Sequence, residues 1–107
     1  MPVSLGEFEV IVLMAVLHLD TEANGSAVRN EIERRIGRHV SRGAVYVTLD
    51  RLEEKGHLSS RLIDAPTVRG GTKRLFRTTS SGLKAVKHAV STFDRMRRGL
   101  EPVLGDL

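Results

Sequence analysis

The chain of 107 residues carries a formal charge of +4 and contains no cysteine, which excludes disulfides, a thiolate nucleophile and a cysteine-based zinc site. Its length suits one domain with one modest core, so a partner subunit would help it stay folded. The cysteine count fits a reducing cytoplasm, residues 1–20 lack the pattern of a secretory signal, and the longest apolar run, VIVLMAVLHL from Val10 to Leu19, is too short to span a bilayer.

Ser4-Leu5-Gly6-Glu7 has the form of a capping box, in which serine and glutamate side chains each satisfy an orphan backbone N–H, and predicts a helix over residues 5–19. Its β-branched Val10, Ile11, Val12 and Val16 lack the alternation of a strand. Apolar on nearly every side, it reads as a central core helix or the seam of a dimer. Residues 20–25 form a turn. A second helix runs from residue 25 or 26 to Ile36 and stops at Gly37. Val28, Ile32 and Ile36 form its buried stripe, and Glu31 pairs with Arg35 one turn on.

After the short connection Gly37-Arg38-His39-Val40, Ser41 caps a third helix. Val45, Leu49 and Leu52 point inward, and Gly56 ends the helix. Residues 58–63 and 74–79 read as strands joined by DAPTVRGGTK, where Pro66 and Gly70-Gly71 mark a hairpin tip. Thr79 or Ser80 caps a last helix reaching to about Leu100. Its Leu83, Val86, Val90, Phe93 and Leu100 fall at heptad spacings; Arg97 stands where the next apolar residue is due, and Met96 partly replaces it.

This order predicts a mainly α fold with a small β-hairpin: a winged helix-turn-helix with an N-terminal helix and a C-terminal dimerisation helix. Residues 1–79 form the DNA-binding domain and residues 80–107 the dimerisation helix and tail. Charge is unevenly distributed along the chain. Residues 1–37 hold three Arg/Lys against six Asp/Glu, residues 38–77 nine against four, and residues 78–107 five against three. Positive charge therefore concentrates in the middle, where a polyanion would be met.

The third helix carries the motif S-x-G-x-V-Y-x-x-L-x-R-L-E-x-K-G over residues 41–56. With the L-x-E-x-x-V-L-like start of the first helix and the basic GGTKRLFRTTSSG, residues 70–82, the chain resembles the PadR family of bacterial transcriptional regulators over almost its whole length. The resemblance implies a homodimer that binds an operator with two winged helices, usually as a repressor. It is similar to the short branch of that family, with a single dimerising helix. Two departures stand out. Ala23-Asn24-Gly25 replaces the Ala-Tyr-Gly of many relatives, and the chain has no tryptophan, against a drug sensor that stacks aromatic ligands on one.

A reading helix needs an apolar face to hold it on the domain and a small or polar face to reach bases. Opposite Val45, Leu49 and Leu52, or flanking that side, stand Gly43, Tyr46, Val47 and Asp50. Ser41 assists a phosphate through the free N–H groups of the helix start. Gly43 permits close approach, and Val47 suits a thymine methyl. Tyr46 reads either as a partly buried core residue or, as the family pattern favours, as a phosphate contact. Arg42 and Arg51 are DNA-contact candidates that could instead pair with Asp50, Glu53 or Glu54. Those acidic residues imply that only the N-terminal half of the helix enters the groove, with Glu53 and Glu54 turned to solvent. At the hairpin tip Arg69, Lys73 and Arg74 suit the backbone or minor groove. The dimer candidates are Leu83, Val86, Val90, Phe93 and Leu100.

His18, His39, His57 and His88 show no metal-ligand spacing, and no nucleophile or phosphate-loop motif appears. An enzyme is not expected, nor a metal or other cofactor. The rival class is a winged-helix module that binds a protein partner. RNA has weaker support, because one Tyr and three Phe form no stacking platform at recognisable spacing. Nothing beyond mild positive charge suggests a membrane. A small-molecule effector is left open; its pocket would lie between two copies of the first and last helices, aliphatic apart from Phe8 and Phe93.

Overall fold

The computed structural model describes residues 5–105. Helix α1 spans Glu7–Leu19. Ser4 of the expected capping box lies outside the described residues. At this helix start the Glu9 carboxylate accepts the Gly6 N–H at 3.0 Å, because with Gly6 as the cap residue Glu9, rather than Glu7, stands three positions on. Val12, Leu13, Ala15 and Val16 of α1 are buried, and the helix packs against the three other long helices and the second strand of the hairpin. None of the described helices is long and apolar enough to cross a membrane.

A single 3-10 turn, Asp20–Glu22, leads to α2 at Gly25–Ile36. The Asn24 side chain accepts the Ala27 N–H at 2.9 Å and so caps α2. Gly37, at φ 79°, ends it in the left-handed region. Val28 and Ile32 are buried as expected, but Ile36 is 45% exposed. The chain reverses at Gly37 immediately after Ile36, so the buried stripe stops a turn early.

Helix α3, Arg42–Glu54, starts at its Ser41 cap, whose Oγ accepts the Ala44 N–H at 3.1 Å. Val45, Leu49 and Leu52 are fully buried. Strands β1 (Leu58–Asp64) and β2 (Thr72–Thr78) form one antiparallel hairpin, with Ser60 opposite Phe76 and Leu62 opposite Arg74. A third segment extends it: the Phe76 N–H donates to the Ala23 carbonyl at 2.8 Å, which ties the outer edge of β2 to the α1–α2 connection. Together these elements make a winged helix-turn-helix.

Helix α4 covers Ser80–Arg97, capped by Thr79. The Thr79 hydroxyl also donates to the Gly56 carbonyl at 2.6 Å, joining the start of α4 to the end of α3. Gly82 lies so close to this junction that a Cβ there would fall 2.2 Å from the His57 carbonyl oxygen. The expected extension to Leu100 does not occur. Gly99 takes φ 91° and a short helix α5 follows at Glu101–Leu104, with Leu100 as its cap residue. Pro102 explains the break: within one long helix its ring would clash with the carbonyl four residues back.

Candidate nucleic-acid interface

The turn between α2 and α3 is clamped from α2. Arg29 Nε donates to the Val40 carbonyl at 2.9 Å, and the Val40 N–H donates to Glu33 at 2.9 Å. Both polar groups of one turn residue are thereby satisfied by side chains one helical turn apart, and Arg29 and Glu33 face each other at 3.6 Å. The hydrogen bond from Val40, with help from Arg29 and His39, holds the Glu33 carboxyl below the usual glutamate range. This clamp aims α3, and no motif in the sequence announces it.

The first turn of α3 contains no acidic residue. Ser41, Arg42, Gly43 and Val47 are all exposed there, on the side away from the core. Tyr46 stands between the two expected roles. It is 38% exposed, yet its ring lies over Gly25 so closely that a Cβ on Gly25 would come within 2.4 Å of it. Gly25 is thus a notch for the tyrosine ring and couples the start of α2 to α3. Arg42 and Arg51 are exposed, and no ion pair among the described residues engages either.

The basic residues of the wing divide between its two faces. Side chains alternate along a strand, and the register puts Ser60, Leu62, Arg74 and Phe76 on one face and Ser59, Arg61, Lys73, Leu75 and Arg77 on the other. Arg69 lies exposed in the tip loop. Arg61 and Arg77 line a crevice of about 330 Å³ with Asp20 and Thr21.

Arg74 differs from the other basic residues of the wing. Its Nη1 donates to Asp50 at 2.8 Å, its Nε donates to the Ser60 hydroxyl at 3.1 Å, and its Nη2 donates to Glu53. The guanidinium also lies 4.6 Å from the centre of the Phe76 ring. Burial opposes its charge, but the hydrogen bonds to Asp50 and Glu53 outweigh that and raise its pKa. Glu53 is therefore not turned to solvent as expected. It is half-buried and also accepts from the Ser60 hydroxyl at 2.8 Å. Glu54 is exposed, as expected.

Helices α1, α4 and α5 leave an apolar groove of about 570 Å³ between them. Val10 and Met14 line it from α1, and Val90, Phe93, Met96, Leu100 and Leu104 from the C-terminal helices. Phe93 and Met96 are 69% and 73% exposed. Among the expected dimer residues Val86 stands apart: it is 7% exposed and belongs to the chain's own core. Among the described residues there is no group of three or more metal-ligating side chains.

No curated protein sequence matches the chain. Among solved structures it is similar to a PadR family transcription regulator from hypervirulent Clostridium difficile R20291, at TM-score 0.73 and 17% identity, over 94% of this chain and 100% of that chain. A PadR family transcriptional regulator from Eggerthella lenta DSM 2243 is similar at TM-score 0.70 and 20% identity, over 94% and 88%. RosR of H. salinarum is similar at TM-score 0.66 and 25% identity, over 96% of this chain and 81% of that chain. Residues 13–88, from the core of α1 to the middle of α4 and including both α3 and the wing, match the model of the transcriptional regulator PadR-like family, to which the chain therefore belongs.

Proposed function

We propose that the chain is a sequence-specific DNA-binding repressor that acts in the cytoplasm as a homodimer on a palindromic operator. The observation that carries this reading is the amino-terminal half of α3. It is capped, free of acidic side chains in its first turn, and clamped by Arg29 and Glu33, and it exposes Ser41, Arg42, Gly43 and Val47 opposite a fully buried apolar face. In this reading Val47 and Arg42 meet base edges, Ser41 and the exposed edge of Tyr46 meet phosphate, and Gly43 lets the backbone approach. Arg51, Arg69 and Lys73 supply attraction to the DNA backbone.

The dimer half of the proposal rests on the exposed Val90, Phe93 and Met96 of α4 beside the α1 groove. An apolar strip of this extent on so small a domain suits burial against a second copy. Residues 80–107 then act as the dimerisation segment, with Leu83, Val90, Phe93 and Leu100 at the seam. Two-fold pairing would set the two reading helices about 34 Å apart, one turn of DNA.

The test is fluorescence anisotropy with duplex DNA from upstream of the chain's own gene and a shuffled control, each at two salt concentrations, alongside sedimentation of the free protein. Tighter binding to the native fragment that persists at the higher salt, by a species of twice the chain mass, supports the proposal. Equal binding to both duplexes that vanishes with salt reduces the reading to nonspecific attraction for that fragment. No binding at low salt redirects it to a module that binds a protein partner.

A further inference from the structure

We infer that Arg74 is a positioning residue of the DNA-reading surface, which bolts the wing to α3 and neutralises the acidic end of that helix, rather than a residue that touches DNA. The inference rests on the DNA-binding reading above and departs from the role that the sequence suggests for a basic wing residue.

Three elements converge on one guanidinium. Asp50 and Glu53 stand three residues apart on one face of α3, Ser60 comes from β1, and Arg74 and Phe76 come from β2. Each guanidinium nitrogen already has an acceptor, and one ring face covers the plane. A planar fork held this way has fixed direction as well as charge. Three of its five N–H groups are taken, and swinging the fork round toward a phosphate or a guanine would pull it off at least one carboxylate. Asp50 or Glu53 would then be left without its counter-charge beside the nucleic acid, where like-charge repulsion opposes binding. Arg74 therefore contributes more where it is. It fixes the angle between reading helix and wing, and it cancels one of the negative charges that α3 would otherwise present to DNA. Arg69 and Lys73 are not held in this way: neither forms an ion pair among the described residues.

The experiment uses the full chain and three variants, Arg74→Met, Arg74→Lys and the double Asp50→Asn/Glu53→Gln. Circular dichroism first selects those that fold. Two readouts follow: hydrogen exchange of the β1 and β2 amides without DNA, and anisotropy with the native and shuffled duplexes across salt concentrations. A latch predicts faster exchange in the hairpin for Arg74→Met and for the double variant. It also predicts that both lose the preference for the native duplex by roughly fivefold or more, with Arg74→Lys only partly restoring it. The salt slope stays unchanged in Arg74→Met.

A DNA-contacting Arg74 gives the opposite pattern. The double variant, which removes two negative charges and frees the arginine, would bind more tightly, and Arg74→Met would lower the log–log salt slope by about 0.9. That result overturns the inference, as does hairpin exchange that no variant alters. If Arg74→Met does not fold, the double variant decides, because it keeps the arginine. If the unsubstituted chain shows no preference for the native duplex, the DNA reading fails, and the exchange data alone decide whether the latch exists.

Discussion

The two ends of α3 are held in place by different means. The amino end is aimed by short-range devices that act within the α2–α3 unit: the Ser41 cap, the Tyr46 ring in the Gly25 notch, and the Arg29–Glu33 grip on Val40. Its outer face is left bare. The carboxyl end carries Asp50, Glu53 and Glu54 and is held by charge, with Arg74 on two of these residues and Lys55 reaching Glu9 of α1 at 2.7 Å. One end of a helix is thus kept available while the other is tied to the body. A helix that must present a few side chains with fixed direction needs both, because any tilt of the tied end is carried along its length.

The most forceful way to break the contrast is to remove what both ends share. Leu49 is fully buried midway along α3, and Leu49→Ala should cost about 2–5 kcal/mol, the range for emptying a packed core site. Urea unfolding measures it, and a loss below 1 kcal/mol would mean that α3 is seated by its ends rather than its middle. Gly25→Ala comes next. The added methyl displaces the Tyr46 ring, and overpacking of this kind costs about 1–3 kcal/mol, offset in part by the better helix propensity of alanine. The same substitution should cost less in a Tyr46→Ala background, and a double-mutant cycle with no coupling would separate the notch from the tyrosine.

Ser41→Ala removes the cap and should lower stability by about 1 kcal/mol, with its effect confined to the amino end in hydrogen exchange. Arg42→Ala should leave stability within about 0.5 kcal/mol. With Arg42 at a base edge, the same variant should weaken binding to the native duplex, and a fall of about 0.9 in the salt slope would place Arg42 on phosphate instead. An unchanged slope would assign Arg42 to a base edge or to solvent.

Acid should loosen both ends, and it sharpens the comparison by doing so through different residues. Glu33 is held below the glutamate range by the Val40 N–H. Burial opposes ionisation of Glu9, but its bonds to Lys55 and Gly6 prevail and lower its pKa. A depressed carboxylate contributes stability that is fully present above its unfolded-state pKa and is lost as the pH falls through its folded-state value. Stability should therefore hold at neutral pH and decline below the ordinary carboxylate range. Glu33→Gln should remove the part of that decline seen at the α2–α3 turn, as followed by amide shifts.

Much of the molecule was legible in the sequence because its elements are defined by local chemistry. The Ser41 cap, a cap at Thr79 or Ser80, the stop at Gly37, the hairpin around Gly70-Gly71 and the inward spacing of Val45, Leu49 and Leu52 all follow from backbone and periodicity rules that act within a few residues. The motif around Tyr46 and the basic wing pointed to the family for the same reason. The end of α4 differs from the expectation although its cause, Gly99 and Pro102, is local, because the apolar spacing runs on to Leu100 past the point where the helix stops.

What the tertiary structure alone decided is which partner each side chain finds. Arg74 looks like any other basic residue of the wing until strand register turns it toward α3 while Lys73 turns away. Val86 fits a dimer stripe by spacing, yet it packs into the chain's own core. Gly25 reads as a helix start, and only the approach of a ring from twenty-one residues further along the chain reveals it as a notch. Local sequence dictates backbone geometry because the forces involved are short-ranged along the chain. Pairing between distant side chains depends on how elements pack, and that exists only once the core has formed.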